Sequence, residues 1–260
     1  MINQILEGYT SNRSVTFRVN TLKCNASEIE KILNDNNISF SKVEWYQDAY
    51  ILNNAKERDI QNLSIYEEGK IYLQSLSSMI PALYLNPLPN ENILDMAAAP
   101  GGKTTQMAVL SNNQALITAC EKNKIRADRL KYNIEKQGAN KITVLNEDAR
   151  KLSEYFSFDK ILLDSPCSGS GTINVKDKNL EKVFTKDLLS RSVQTQQVLL
   201  KKAIYLLKIG QEMIYSTCSI LKEENEENIQ KMIDTGKVEI VPLDLKRLIG
   251  VPIIQSRIEG

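Results

Sequence analysis

At the start of the chain, hydrophobic and polar residues follow patterns typical of a small α+β unit. Residues 14–23 alternate and are rich in Val, Thr and Phe, so they predict a strand. Residues 26–34 place Ile and Leu at helical spacing and predict a helix. Residues 43–52 and 69–76 again show an extended pattern. We therefore predict a small N-terminal α+β domain over residues 1–75.

The pattern changes after a helical stretch at 77–85 and the linker at 86–89. Short apolar runs, typical of buried strands, then alternate with longer stretches of helical period. The predicted strands are 92–96, 115–120, 142–145, 160–163 and 212–216, and the predicted helices are 103–110, 124–137, 188–207 and 223–233. Gly138 and Gly210 lie where helix C-caps are expected. This alternation predicts a parallel α/β sheet with helices on both faces over residues 76–260.

A turn of small residues follows the first predicted strand of this sheet and precedes a helix. It consists of Ala97, Ala98, Ala99, Pro100, Gly101, Gly102 and Lys103. Small residues let a ligand approach the backbone, and a helix N-terminus favours negative groups. A nucleotide-binding P-loop is the obvious rival, but its first glycine would have to occupy position 97, which is alanine. A tight turn without a ligand is the plainer alternative.

Acidic residues follow four successive predicted strands, namely Asp95, Glu121, Asp148 and Asp164. An acid about 20 residues beyond a glycine-rich turn typically bonds ribose hydroxyls in dinucleotide-binding folds. Ligands of open α/β sheets bind beyond the carboxyl ends of the strands, so the four acids are expected to face one crevice. Any one of them alone would more simply be a loop acid or a helix cap. The series predicts a site for an adenosine-containing cofactor.

Two of the four cysteines also follow predicted strands. Cys167 lies in Asp-Ser-Pro-Cys-Ser-Gly, and Cys218 lies in Ser-Thr-Cys-Ser, so both are expected to reach the same crevice. Their Ser, Pro and Gly neighbours are not the composition of a hydrophobic core. Cys24 and Cys120 are interpreted as small core residues, the commoner role of a lone cysteine.

Two thiols and an acid suit the methylation of carbon 5 of cytosine. A thiolate that adds to carbon 6 makes carbon 5 nucleophilic enough to attack a sulfonium methyl, which is covalent catalysis. An acid near ring N3 stabilises the adduct. A base must then remove the proton on carbon 5, and a second thiol can do so without histidine.

Composition narrows the classes of function. The 260 residues include no histidine, which excludes Ser-His-Asp and Cys-His catalysis and zinc sites with histidine ligands within this chain. No apolar run approaches the roughly 20 residues that cross a bilayer, and no signal peptide is visible. We expect a cytoplasmic protein with reduced thiols, no metal and no membrane association. The net charge of +1 is uninformative, and residues 1–75 carry 8 basic and 10 acidic side chains.

These motifs together resemble the RsmB/Sun family of RNA cytosine-C5 methyltransferases. Residues 17–23 (Phe-Arg-Val-Asn-Thr-Leu-Lys) look like its R-V-N-T-L-K segment, and residues 95–103 look like D-x-x-A-A-P-G-G-K. Residues 164–169 look like D-x-P-C-S-G, and residues 216–219 look like S-T-C-S. The resemblance runs from about residue 15 to residue 230, and the last two motifs in this order are highly specific.

The resemblance implies a Rossmann-like class I methyltransferase sheet that binds S-adenosylmethionine and releases S-adenosylhomocysteine. It implies that Cys218 is the nucleophile and that Cys167 assists product release. The 97–103 turn, Glu121, Asp148 and Asp164 are expected to contact the cofactor, with Asp164 and Lys103 near the target base. DNA cytosine methyltransferases attack instead from the cysteine of the earlier motif, and the S-T-C-S sequence favours RNA.

The implied partner is rRNA or tRNA with an unpaired or flipped cytosine, bound by a monomeric enzyme. Two departures from the family stand out. Many members have cysteine where this chain has Ala97, and many continue into an Arg-x-x-Pro and Asp-Gly-Phe-Phe segment that forms late strands. This late segment is not found before the sequence ends at Gly260, which predicts a truncated C-terminus or an abbreviated sheet edge. A catalytically silent RNA-binding scaffold and an NTPase are the alternative functions.

Overall fold

The computed structural model describes residues 2–11, 13–175, 184–251 and 253. Within them the chain forms two sheets, one of four strands and one of five. The residues at 254–260, which close the predicted C-terminal unit, lie outside the described part of the chain. No helix of the described residues is long and apolar enough to cross a membrane.

The first sheet is antiparallel and has the order β2-β3-β1-β4. Its strands are β1 (Thr16–Val19), β2 (Phe40–Val43), β3 (Tyr46–Leu52) and β4 (Ile71–Leu73). The helices around it are α1 (Ile2–Thr10), α2 (Ala26–Asp35), α3 (Glu57–Gln61) and α4 (Ser64–Glu67). Phe17 and Val19 of β1 pack with Ile29 and Leu33 of α2, so one face of the sheet is closed by that helix.

The strand predicted at 43–52 is observed as β3 but starts three residues later, at Tyr46, and it pairs in a hairpin with β2, which the sequence pattern did not predict. Glu44 and Trp45 make its turn. The polar residues of β2, Ser41 and Lys42, are exposed, so this strand lacks the apolar alternation that sequence patterns detect. The extended pattern at 69–76 contains β4, and the residues after it begin the next helix.

The second sheet is parallel throughout and has the order β7-β6-β5-β8-β9. Its strands are β5 (Asn92–Asp95), β6 (Leu116–Cys120), β7 (Ile142–Leu145), β8 (Phe158–Asp164) and β9 (Leu207–Ser216). The helices are α5 (Leu76–Leu85), α6 (Gly102–Leu110), α7 (Lys124–Lys136), α8 (Lys186–Leu206) and α9 (Glu226–Ile233). The order of strands reverses between β5 and β8, which places the carboxyl ends of these two strands at a switch point, the usual position of a ligand crevice.

Helices cover both faces of this sheet, as predicted. Leu94 and Leu163 point to the face covered by α8, where they meet Leu199 and Ala203. Ile93 and Leu162, their neighbours in sequence, point to the opposite face, which α5 and α6 cover. This alternation along strands buried on both sides is typical of parallel α/β sheets.

Helix ends explain a further difference from the sequence prediction. Gly138 adopts a φ of +64° directly after α7 and its C-cap Gln137, as expected for a helix end. Gly210 was expected to cap α8, but that helix ends at Leu206 and Gly210 lies within β9. The strand therefore begins five residues earlier than the predicted start at Glu212.

A buried arginine joins the two sheets. Arg18 of β1 is 0% exposed, and its side chain donates to the side-chain oxygen of Gln74 at 3.0 Å and to the hydroxyl of Thr105 at 2.7 Å. It also donates to the carbonyl of Gly102 at 3.2 Å. Because Gly102 and Thr105 belong to the first turn of α6, the N-terminal sheet holds the start of the helix that follows the small-residue turn.

Candidate active site

The small-residue turn between β5 and α6 is built on Asp95. This carboxylate is 1% exposed and accepts from the Thr104 hydroxyl at 2.7 Å and from the amide of Ala97 at 3.4 Å. Burial raises the pKa of Asp95 to about 6. Gly101 has a φ of +109°, and a Cβ there would lie 2.9 Å from the side chain of Leu130, so only glycine fits.

Two cavities meet at Ala97, one on either side of the β5 end. The first, which we call the Glu121 cavity, is lined by Met96, Ala97, Cys120, Glu121, Lys122, Arg126, Glu147, Asp148, Ala149, Arg150, Pro166, Thr195 and Leu199. The second, which we call the Lys103 cavity, is lined by Tyr72, Leu73, Gln74, Ser75, Ser78, Asp95, Ala97, Ala98, Ala99, Pro100, Gly102, Lys103 and Asp164. Together they form a crevice along the carboxyl ends of β5, β6 and β8.

Glu121 and Asp148 are the acids of the first cavity. The side chain of Glu121 is 3% exposed; one oxygen accepts from the amide of Asn123 at 2.8 Å, and the other lies 3.3 Å from the guanidinium of Arg126. Asp148 forms a two-pronged ion pair with Arg150, with contacts of 2.9 and 2.5 Å. The hydrogen bond with Arg150 lowers the pKa of Asp148, so this carboxylate is charged at neutral pH.

Lys103 and Asp164 form an ion pair in the second cavity. The ammonium of Lys103 lies 2.6 Å from one oxygen of Asp164 and donates to the hydroxyl of Ser78 at 2.7 Å. The hydroxyl of Ser216 donates to the other oxygen of Asp164 at 2.7 Å. Lys103 and Asp164, the two residues expected near the target base, are therefore each held by a serine, Ser78 of α5 and Ser216 of β9.

The two predicted cysteines lie in contact. The Sγ atoms of Cys167 and Cys218 are 2.8 Å apart, with Cys167 half-buried and Cys218 exposed. Their segments are tied by the amide of Gly171, which donates to the carbonyl of Cys218 at 2.9 Å. A Cβ on Gly171 would approach that carbonyl oxygen to 2.8 Å, so this close pairing of loops needs glycine.

The contact makes the two thiols electrostatically unequal. The hydrogen bond from Cys167 is the principal cause that lowers the pKa of Cys218 to about 7. The same hydrogen bond, together with burial, raises the pKa of Cys167 far above its usual value. At pH 7 about half of the Cys218 thiol is therefore ionised, whereas Cys167 keeps its proton. Cys24 and Cys120, the two assigned to the core, have pKa values raised by burial to about 11 and about 12.

The structure distributes the predicted site residues over three adjoining places. Ala97, Glu121 and Asp148 line the Glu121 cavity; Ala97, Ala98, Ala99, Pro100, Gly102, Lys103 and Asp164 line the Lys103 cavity. Gly101 lines neither cavity, because it packs against α7. The two cysteines lie beside the Lys103 cavity, joined to it through Ser216 and Asp164. The ammonium of Lys103 bonds Ser78 and Asp164, whereas the partner of the Cys218 thiol is Cys167.

Sequence reasoning missed four residues that hold these groups in place. They are Ser78, Arg126, Ser216 and Glu224. Ser216 was visible, since it lies within the S-T-C-S motif two residues before Cys218. Glu224 is one of four glutamates within residues 223–227, and the sequence gives no signal for which of them is buried.

The chain resembles known proteins in both sequence and structure. A family profile described as 16S rRNA methyltransferase RsmB/F matches residues 82–256. The ribosomal RNA small subunit methyltransferase F of Shewanella oneidensis is 35% identical over 215 residues, which cover 81% of this chain. The chain belongs to the RsmB/F family of 16S rRNA methyltransferases. The resemblance inferred from the sequence motifs is thereby confirmed.

Solved structures extend the comparison to the fold. A methyltransferase homolog protein from Pyrococcus horikoshii matches with a TM-score of 0.82 at 35% identity, covering 93% of this chain and 76% of that one. NSun6 from Pyrococcus horikoshii, solved with SFG, matches with a TM-score of 0.79 at 24% identity, covering 90% of this chain and 83% of that one. The Rossmann-like methyltransferase sheet is thus confirmed for this RsmB/F-family chain. The chain spans about half the length of the curated relatives it matches, 45% for the Shewanella oneidensis protein.

Proposed function

We propose that this chain transfers a methyl group from S-adenosylmethionine to carbon 5 of a cytosine in RNA, with Cys218 as the nucleophile. The observation that carries the proposal is the contact between two thiols, of which only Cys218 is ionised near neutral pH. A thiolate is the reactive form of cysteine, so the structure supplies a nucleophile without any histidine.

The crevice fits S-adenosylmethionine in the chemistry of its lining. Glu121 and Asp148 present carboxylate oxygens that can accept from ribose hydroxyls, and Ala97, which lines both cavities, has a side chain small enough to let a ligand pass between them. The Lys103 cavity combines an ammonium with small residues and suits the charged methionine end. When bound, the cofactor supplies an electrophilic methyl group on a sulfonium.

The first chemical step belongs to Cys218. Its sulfur forms a bond to carbon 6 of the cytosine, and the electrons of the C5–C6 double bond move into the ring toward N3. Asp164 accepts a hydrogen bond from Ser216 and forms an ion pair with Lys103. This ion pair can hold the cytosine ring and transfer a proton at N3. Carbon 5 of the adduct is then nucleophilic toward the methyl group.

The last chemical step belongs to Cys167. Its pKa is raised mainly by the hydrogen bond to Cys218, and that interaction with a thiolate ends once the Cys218 sulfur is bonded to carbon 6. Cys167 can then release its own proton to solvent, and the resulting thiolate takes the proton from carbon 5. The C5–C6 double bond re-forms as the Cys218 sulfur leaves with its electron pair, which releases the methylated base.

The RNA must present its cytosine unpaired or flipped, because carbon 6 of a stacked base is out of reach of a thiol. We propose rRNA or tRNA as substrate, a small α+β domain at 1–75 that contacts the RNA, and a catalytic domain at 76–260. We also propose that the enzyme acts as a monomer in the cytoplasm. Its RsmB/F-family membership supports rRNA in particular.

One incubation tests the proposal. The protein is mixed with methyl-labelled S-adenosylmethionine and either bulk rRNA or tRNA, and the RNA is digested to nucleosides. We expect the label in 5-methylcytidine. The label should be lost when the target cytosine is locked in a fully paired stem. Label in another nucleoside, or none in any RNA while the cofactor still binds, would contradict it; the second outcome would favour a silent RNA-binding scaffold. ATP hydrolysis without methyl transfer would favour the NTPase.

A further inference from the structure

Glu224 is a fully buried carboxylate in the segment between β9 and α9. One of its oxygens accepts from the amide of Ser168 at 2.8 Å and from the side-chain amide of Gln196 at 3.0 Å. Its other oxygen accepts a short hydrogen bond from the hydroxyl of Ser168. Both oxygens therefore bind the residue that directly follows Cys167.

The residue that precedes Cys167 is held by the same group of side chains. The amide of Gln196 that donates to Glu224 also donates to the carbonyl of Pro166 at 3.0 Å. Asn228 fixes the orientation of Gln196 by donating to its side-chain oxygen at 2.8 Å. The backbone is thus hydrogen-bonded on both sides of Cys167, by Glu224 at Ser168 and by Gln196 at Pro166.

Glu224 is also connected to the segment that carries Cys218. The hydroxyl of Tyr215 donates to the backbone carbonyl of Glu224 at 2.6 Å. Tyr215 lies in β9, three residues before Cys218. One residue therefore contacts both cysteine-bearing segments, through its side chain on one side and its backbone on the other.

The burial of Glu224 is costly, and this points to a positioning role. Among the residues that the structure describes, no lysine or arginine forms an ion pair with it. Burying an unpaired carboxylate is strongly unfavourable unless hydrogen bonds replace its hydration. Here every donor to the carboxylate comes from the Cys167 turn or from the glutamine that holds it.

We propose that Glu224 is a positioning residue that fixes the Pro166–Ser168 turn so that the Cys167 thiol stays in contact with Cys218. This inference rests on the proposed function, in which Cys167 removes the proton from carbon 5. Losing the carboxylate would let the turn move, and a misplacement of about 1 Å can slow a proton transfer by about 100-fold.

The test compares Glu224→Ala with Glu224→Gln, Cys167→Ala and Asn20→Ala. Asn20 is the matched control, because it is equally buried and its side chain donates to the carbonyls of Gly69 and Gln137, which belong to neither of the segments that carry Cys167 and Cys218. The Glu224→Ala variant should release RNA about 10–100-fold more slowly than the wild type. A covalent RNA adduct should therefore accumulate, as is also expected for Cys167→Ala. Glu224→Gln should restore turnover, since its carbonyl oxygen can keep the bonds to Ser168 and Gln196. Asn20→Ala should lower thermal stability without trapping RNA.

A second readout does not depend on methylation. The oxidant diamide takes one hydrogen from each thiol and is reduced to a hydrazine, which leaves a Cys167–Cys218 disulfide. Glu224→Ala should form this disulfide at least tenfold more slowly than the wild type and Asn20→Ala. If Glu224→Ala does not fold, Glu224→Asp, which withdraws the carboxylate from Ser168, gives the same comparison. An unchanged rate of disulfide formation in Glu224→Ala would overturn the inference. If Glu224→Ala forms the disulfide slowly, as expected, but Cys167→Ala accumulates no RNA adduct, only the proposed role of Cys167 is overturned.

Discussion

The Sγ atoms of Cys167 and Cys218 lie 2.8 Å apart at the ends of two neighbouring parallel strands, β8 and β9. At this distance two thiolates would repel each other, so one thiol stays protonated and donates to the other. The proton remains on the half-buried Cys167, and the charge falls on the exposed Cys218. The two thiols therefore differ in ionisation, as the proposed division of roles requires.

The rate of adduct formation should depend on the ionisation of Cys218. Its pKa of about 7 lies below the usual value for cysteine, so the thiolate is present above about pH 7 and is lost on acidification. The rate of covalent attachment to RNA should fall tenfold per pH unit below 7 and level off above it. Single-turnover gel assays from pH 5.5 to 9 measure this profile.

Cys167→Ala is the control for that profile. It removes the hydrogen bond that lowers the pKa of Cys218, so the midpoint of adduct formation should move toward the ordinary value near 8.5. If the pH midpoint of adduct formation is already about 8.5 in the wild type and does not change in Cys167→Ala, the contact between the thiols does not activate Cys218.

Glu121→Ala should weaken binding of S-adenosylmethionine. The Glu121 carboxylate is almost fully buried at the edge of its cavity, and losing a charge-assisted hydrogen bond costs about 1–3 kcal/mol, or about 5- to 150-fold in Kd. Isothermal titration calorimetry measures the change. Asp128→Ala, on the exposed side of α7, is the control and should leave Kd unchanged. Equal affinities for the two variants would remove Glu121 from the cofactor site.

Arg18→Ala should destabilise the protein. The variant removes three hydrogen bonds and the guanidinium that fills the space between the two sheets, and leaves Gln74 without its donor. We expect a loss of about 2–4 kcal/mol in the free energy of unfolding, measured by urea denaturation. Arg58→Ala, an exposed arginine of α3, should change it by less than about 0.5 kcal/mol. A similar small change for Arg18→Ala would show that this contact does not hold the sheets together.

The sequence predicted the inner strands of the parallel sheet well because they are buried on both faces, and Asn92–Asp95 differs from its prediction by one residue. The edge strand Ile142–Leu145 has the predicted bounds because its Ile, Val and Leu keep an apolar pattern although none of them is fully buried. The strands that were misplaced lack that signal: β2 carries exposed Ser41 and Lys42, and the first half of β9 is exposed. Hydrophobic periodicity follows the positions of apolar residues, so strand segments made of exposed polar residues escape it.

The site was predictable where residue type and position both carried information. Cys167, Cys218, Asp164 and Lys103 combine reactive side chains with positions at strand ends or a helix start, and the structure brings them together. Glu224 was not predictable, because three other glutamates lie within three residues of it and only tertiary packing distinguishes it. Hydrogen-bond partners that are distant in sequence leave no local pattern.

The most direct test of the central claim compares the RNA adducts of two variants. Each is incubated with S-adenosylmethionine and substrate RNA, and the products are separated by denaturing gel electrophoresis. Cys218→Ala should form no covalent adduct and transfer no methyl group. Cys167→Ala should transfer a methyl group and then accumulate an adduct, because attack by Cys218 is retained while removal of the carbon 5 proton is slowed. An adduct with Cys218→Ala and none with Cys167→Ala would contradict the account and assign the attack to Cys167, the order found in DNA cytosine methyltransferases.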